Sequence, residues 1–196
     1  SYEHYKSYDR QALKSADILI FIGWSWIVEE AVTSKSLCLG IHPSDLPKFR
    51  GGSPIQHQII KGIINSKVSL MELSVKKLDA GDIWGKSDLS LDGNNIDEIF
   101  KNISESSIIL LTDFFDKYPE IKSVPQDLGE GSYFSRRLPS EGKLHPADFN
   151  EMSLVSTYNK IRCQTAPYPN AFLEDETGNR LYFESVKFVK VGIAQS

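Results

Sequence analysis

Residues 36–56 read SLCLGIHPSDLPKFRGGSPIQ. Ser36 to Ile41 is apolar and suits a short buried strand. His42-Pro43 ends it, because proline has no amide to give to a ladder. Pro43 to Pro54 packs three prolines and two glycines into twelve residues, so the loop is irregular but stiff. Pro54 then stands near the first position of a helix over Ile55 to Gly62. A buried strand that delivers a histidine to a rigid loop and a helix start is half of an α/β unit.

The flanking sequence continues the pattern. Ala16 to Ile22 (ADILIFI) is a second buried strand, stopped by Gly23. Arg10 to Ser15 before it suits the end of a helix. Val28 to Ser34 has helical character, with Glu29 and Glu30 near the positive end of the dipole. Downstream, Val68 to Val75 alternates as a strand, Leu78 to Asp82 is a turn, and Ile83 to Leu91 is another strand closed at Asp92-Gly93. Ile96 to Tyr118 is a long amphipathic helix ended by Pro119. Pro119 to Asn150 is rich in Gly, Pro, Ser and charge and reads as a traversing segment. Ser153 to Cys163 is a shorter helix. Ala171 to Glu174 and Arg180 to Val191 form a hairpin around Thr177-Gly178-Asn179. The expected division is a catalytic domain over 1–118 and a connecting segment with a small helix-and-hairpin subdomain over 119–196.

Composition narrows the function classes. The 196 residues are 40% hydrophobic and 24% charged, with a net charge of −4 and a pI near 5.6. That is an ordinary globular chain without the overall basic character that draws nucleic acid. Cys38 and Cys163 match neither a metal spacing nor a disulfide framework, so both are expected as free thiols in a reducing compartment. No metal is expected. The apolar run from Ile18 to Val28 is too short to span a bilayer, and no secretory signal stands at the front. A cytoplasmic protein with no membrane partner is expected.

The chemistry concentrates at two places. A strand end presents His42, and a turn between later strands presents Asp79. In an open α/β sheet, ligands bind beyond the carboxyl ends of the strands, so the two can meet over one cleft. Imidazole beside carboxylate is a common acid–base pair. Taken alone, a His before a Pro is also a plain loop residue and Asp-Ala-Gly a plain turn.

The stretch from Gly40 through His42, Leu46, Arg50, Gly51 and Gly52 to Gln56 resembles the signature loop of the folate-dependent formyltransferases. That family includes methionyl-tRNA, glycinamide ribonucleotide and nucleotide-sugar N-formyltransferases. Leu78-Asp79-Ala80-Gly81-Asp82-Ile83 is similar to the family's second motif. Ile161-Arg162, followed by Pro167 to Phe172, resembles its arginine-then-proline segment. The resemblance spans roughly Ala16 to Phe172. It implies a Rossmann-like α/β fold with a mostly parallel sheet and helices on both faces. It also implies transfer of a formyl group from 10-formyltetrahydrofolate to an amine.

Site roles follow from the same resemblance. His42 and Asp79 take the proton-handling roles. The family's Asn, two residues before the His, polarises the formyl oxygen; here that position is Gly40. A substitute donor is expected from protonated His42, from a loop amide, or from the Trp24-Ser25-Trp26 segment. Trp24, Ser25 and Trp26 wall one side of the folate pocket, with core packing as the alternative for the tryptophans. Lys77, Leu78, Asp79 and Asp82 wall the other side. Ser44, Arg50, Gly51, Gly52 and Gln56 face the acceptor, with a surface ion pair as the alternative for Arg50. Arg136-Arg137 suits a diphosphate or a solvated surface.

The short tail and acidic balance point to a nucleotide-linked amino sugar as acceptor, with methionyl-tRNA the runner-up. A homodimer is left open. So is a binding module for folate or a nucleotide that does not turn over. The family fold opens with a strand–helix–strand unit before the equivalent of Ala16. This chain opens at Ser1 without a methionine, and a natural protein longer at its N-terminus is expected.

Overall fold

The computed structural model describes residues 16–24, 28–73 and 78–190. Ser25, Trp26 and Lys77 lie outside the described residues, as does Ser1 to Ser15. In chain order the elements are β1 (Ile18–Phe21), α1 (Glu30–Thr33), β2 (Leu37–His42), β3 (Arg50–Gly51), α2 (Pro54–Ile60), β4 (Asn65–Glu72), β5 (Ile83–Ser90), α3 (Ile96–Lys117), β6 (Tyr133–Phe134), α4 (Ala147–Asn150), α5 (Leu154–Arg162), β7 (Ala171–Glu174) and β8 (Arg180–Phe183).

Four strands form the main sheet in the order β1-β2-β4-β5. The α/β class stands, but the described sheet is mixed rather than mostly parallel. β1 and β2 are parallel, whereas β2–β4 and β4–β5 are antiparallel. The connection through α2 folds back to the end where β2 leaves, and β4 enters there, pairing Ser69 with His42.

Strand alternation divides the sheet into two faces. Leu39, Val68, Leu70 and Leu89 point to one face and join Ile55 and Ile59 of α2 with Ile99, Leu110 and Phe114 of α3 in a single core. α2 and α3 thus serve the same face among the described residues, where helices on both were expected. Cys38, Gly40 and His42 alternate to the opposite face. α3 starts with Asn95, whose side chain accepts from the Glu98 amide, a standard N-cap.

The segment after α3 packs back onto the sheet. Ile83 and Val124 exchange two backbone hydrogen bonds of 2.8 Å, and β3 pairs in parallel with β6. Cys163 belongs to the main core. A smaller core holds Leu144, Ile161 and Ala171. Both cysteines are free and buried. Among the described residues no helix is long and apolar enough to cross a membrane.

Candidate active site

His42 ends β2 with its side chain on the face away from the helical core. Its Nε2 lies 2.9 Å from the Phe49 carbonyl. A carbonyl oxygen only accepts, so Nε2 carries the proton and the neutral ring keeps its lone pair on Nδ1. Nδ1 faces Asp79 Oδ2 at 3.7 Å, and the two side chains are only 8% and 11% exposed. The gap is longer than a hydrogen bond. Asp79 Oδ2 takes its hydrogen bond from the Gly51 amide at 2.8 Å. The structure therefore brings His42 and Asp79 together, with Nδ1 of the imidazole aimed at a carboxylate. A positive charge arriving on Nδ1 meets a negative one in a site nearly closed to water.

The backbone holding these groups is strained. Among the described residues three non-glycines have positive φ: Phe49 at 58°, Ser53 at 51° and Asp79 at 50°. All three belong to the loop or to the Asp79 turn. Such conformations cost about 1–3 kcal/mol each and persist where the surroundings fix them.

The surroundings do fix them. The Ser132 hydroxyl accepts from the Phe49 amide and the Ser132 carbonyl from the Arg50 amide, both at 2.9 Å. Gly52 donates to the Phe134 carbonyl at 2.8 Å. Gly51 has φ 92°, and a Cβ there would lie 2.2 Å from the Phe134 carbonyl oxygen. Gly81 permits a similar approach, since its Cβ would meet the Glu72 carbonyl oxygen at 1.9 Å. Behind the loop, Gln58 donates to the carbonyls of Pro43 and Pro54 at 2.8 and 3.0 Å. Ser69 donates to the Ser44 carbonyl at 2.7 Å.

The residues expected to face an acceptor are occupied inside the protein. Ser44 is fully buried and donates to the Lys48 carbonyl at 2.7 Å. Arg50 is buried with Nε 3.3 Å from the Pro47 carbonyl, not in a surface ion pair. Gln56 is buried and donates to the Cys163 carbonyl at 3.3 Å. Gly51 and Gly52 lie against residues 134–136. These five shape the loop.

The folate-wall residues divide. Trp24 meets Phe21 edge to face at 5.4 Å. β1 is the parallel neighbour of β2, with Phe21 opposite Gly40, so Trp24 follows β1 at the end of the sheet where β2 finishes at His42. Leu78 is half exposed. The backbone of Asp82 caps β4 by accepting from the Glu72 amide. Of the described residues expected to wall a folate pocket, Trp24 thus offers aromatic surface and Leu78 apolar surface.

Arg137 turns to Glu141, its Nη2 donating to that carbonyl at 2.8 Å. Arg162 is buried and donates from Nη1 to the carbonyls of Leu91 and Gly93 at 2.9 and 2.8 Å. Burial pushes its guanidinium below the ordinary arginine range. It locks the turn between β5 and α3. Among the described residues no cluster of His, Cys, Asp or Glu is placed to hold a metal ion.

Sequence reasoning missed Ser132, Phe134 and Gln126. Gln126 Nε2 donates to the Asp79 and Gly81 carbonyls at 3.1 and 2.6 Å. All three lie in the stretch read as a traversing segment; Phe134 belongs to the basic–aromatic cluster around Arg136-Arg137, and no local pattern marks the other two.

Comparisons with known proteins bear on this geometry. A family model described as formyl transferase matches residues 4–105. A methionyl-tRNA formyltransferase from Rickettsia typhi is 34% identical over 160 residues, covering 80% of this chain and 51% of that protein. The chain spans about half the length of such curated relatives. The solved methionyl-tRNA formyltransferase from Clostridium thermocellum superposes with a TM-score of 0.69 at 29% identity, over 88% of this chain and 78% of the other. A 4-N formyltransferase from Francisella tularensis gives 0.74 at 19% identity, over 89% and 72%. At that identity the likeness supports the fold alone.

Proposed function

Since the chain belongs to the formyltransferase family, we propose that it moves a formyl group from 10-formyltetrahydrofolate to the amine of a nucleotide-linked amino sugar. The observation that carries the chemistry is the sheltered His42–Asp79 pair, with Nδ1 as the open base. The acceptor nitrogen bonds to the formyl carbon, and the bond from that carbon to the folate nitrogen breaks. One proton leaves the amine and one reaches the folate nitrogen. His42 Nδ1 takes the first, and Asp79 faces the resulting charge. Phe49 and Gly51 keep both groups in place through backbone hydrogen bonds.

A net charge of −4 favours a small acceptor over a polyanion. Identity of 34% to a methionyl-tRNA formyltransferase favours charged initiator tRNA as the second reading. We place the reaction in the cytoplasm.

The test offers the protein 10-formyltetrahydrofolate with either acceptor and follows product mass. A gain of one formyl on the sugar nucleotide supports the reading. Formylation of the tRNA alone keeps the chemistry and overturns the choice of acceptor. No transfer to either leaves a folate- or nucleotide-binding module.

A further inference from the structure

We propose that Gln126 is a positioning residue that holds Asp79 in register with His42. The inference rests on the formyl-transfer reading for its kinetic consequence, but its geometry is independent of that reading.

Asp79 sits at φ 50°, a conformation that an isolated Asp-Ala-Gly turn does not hold by itself. Its carboxylate is tied to the Gly51 amide. Its main chain is tied elsewhere. One amide group, Gln126 Nε2, donates to the carbonyls of Asp79 and Gly81, spanning Ala80. Gln126 reaches the turn from a segment anchored by the two-way bond between Val124 and Ile83. Ile83 is itself the first residue of β5, immediately after the turn. The clamp and the clamped residue are therefore fixed to the same strand end.

Gln126 Oε1 is buried with no hydrogen-bond partner among the described residues. Every polar contact of this side chain runs through its NH2. A donor is what the position needs, and a carboxylate there would point oxygen at two carbonyl oxygens. Without the donor, the turn can relax toward ordinary φ. Oδ2 then leaves both the Gly51 amide and the 3.7 Å approach to Nδ1.

The experiment compares Gln126→Met, close in shape but lacking the donor, with Gln126→Glu. Asp79→Ala and the double variant Gln126→Met/Asp79→Ala complete a cycle. Each is measured for kcat, for KM toward 10-formyltetrahydrofolate, and for hydrogen exchange at the Gly51 amide. Gln126→Met is expected to lower kcat by about 10- to 100-fold, the scale of a misplaced catalytic group, with KM nearly unchanged. Gln126→Glu is expected to lose more. In the Asp79→Ala background, Gln126→Met is expected to cost nothing further, because the residue it positions is gone. Gly51 exchange should quicken in Gln126→Met while the Val68 amide in the core stays protected.

An equal loss of kcat in both backgrounds would show a general structural role and overturn the proposal. Unchanged Gly51 exchange would overturn it too. If the wild type transfers no formyl group to any amine, the proposed function fails and the exchange measurement alone decides. Should Gln126→Glu not fold, Gln126→Met carries the comparison. Should that variant also fail to fold, Gln126→Asn keeps the donor on a shorter reach, and quickened Gly51 exchange in it supports the clamp while wild-type protection there refutes it.

Discussion

An asparagine at position 40 should accelerate the proposed formyl transfer, provided that room is made for it. Gly40 lies on β2 on the same face as His42, where the family resemblance expects a side chain to polarise the formyl oxygen. A Cβ on Gly40 would lie 2.7 Å from Leu73 Cδ2 and 3.6 Å from Met71 Cε. The nearest obstacle is the end of a flexible side chain, and φ at Gly40 is not in the left-handed region. Gly40→Asn alone is therefore expected to fold with an overpacking cost of about 1–3 kcal/mol. Gly40→Asn/Leu73→Ala removes the overlap.

The gain can be bounded. The amides of Ser44, Leu46, Lys48, Phe49, Arg50, Gly51 and Gly52 all donate to internal acceptors. Those seven loop amides are therefore not available for the missing role. One oxyanion donor is worth about 2.7–4 kcal/mol, or roughly 100- to 1000-fold in kcat. The double variant should approach the lower end of that range, because the new side chain is not preorganised by neighbours evolved to hold it. The assay is product formation at saturating 10-formyltetrahydrofolate and acceptor, beside thermal melts of both variants. An unchanged kcat in a double variant that melts like the wild type would refute the reasoning. It would mean that another group, such as His42 itself, already supplies the donor.

Other outcomes follow from single contacts. Gly51→Ala forces a Cβ to within 2.2 Å of the Phe134 carbonyl oxygen at φ 92°, whereas Gly62 has φ 75° and nothing within 4 Å. Urea unfolding should show Gly62→Ala losing about 1 kcal/mol from the left-handed backbone alone. Gly51→Ala should lose at least about 2 kcal/mol more, and equal losses would contradict the packing of β3 on β6. At Asp148, burial pushes the carboxyl up, but Lys160 and the His145 amide outweigh it and hold it below the ordinary range. A depressed carboxylate contributes stability above its unfolded value near 4 and loses it as pH falls through the lower folded value. Thermal melts should show Asp148→Asn destabilised by about 1–2 kcal/mol at pH 7. The difference from wild type should shrink as the pH falls below about 4.

How far the sequence carried these features depended on the range of the contacts. β1 and β2 were legible because each is an apolar run with a hard stop, at Gly23 and at His42-Pro43. The Asp79 turn was legible because Asp and Gly favour turns and lie here between two strands. Ser44, Arg50 and Gln56 were read as facing a ligand because they are polar and lie in the loop. Polarity gives no direction, and all three side chains turn inward to carbonyls. β4 starts at Asn65, three residues before the expected Val68, because the buried Ser66 bonds to Gln58 rather than showing an apolar pattern. β8 ends at Phe183, short of Val191, because Phe183 already pairs with Ala171, the first residue of β7. Gln126, Ser132 and Phe134 act across 45 to 83 residues of chain, a separation no local pattern encodes.

The central claim is that His42 and Asp79 form the proton-handling pair of a formyl-transfer site. Its most direct test is His42→Ala with two readouts on one sample: binding of 10-formyltetrahydrofolate and formyl transfer to the acceptor that the wild type uses. Binding retained with transfer reduced to background is the expected result. Transfer at the wild-type rate by His42→Ala would contradict it.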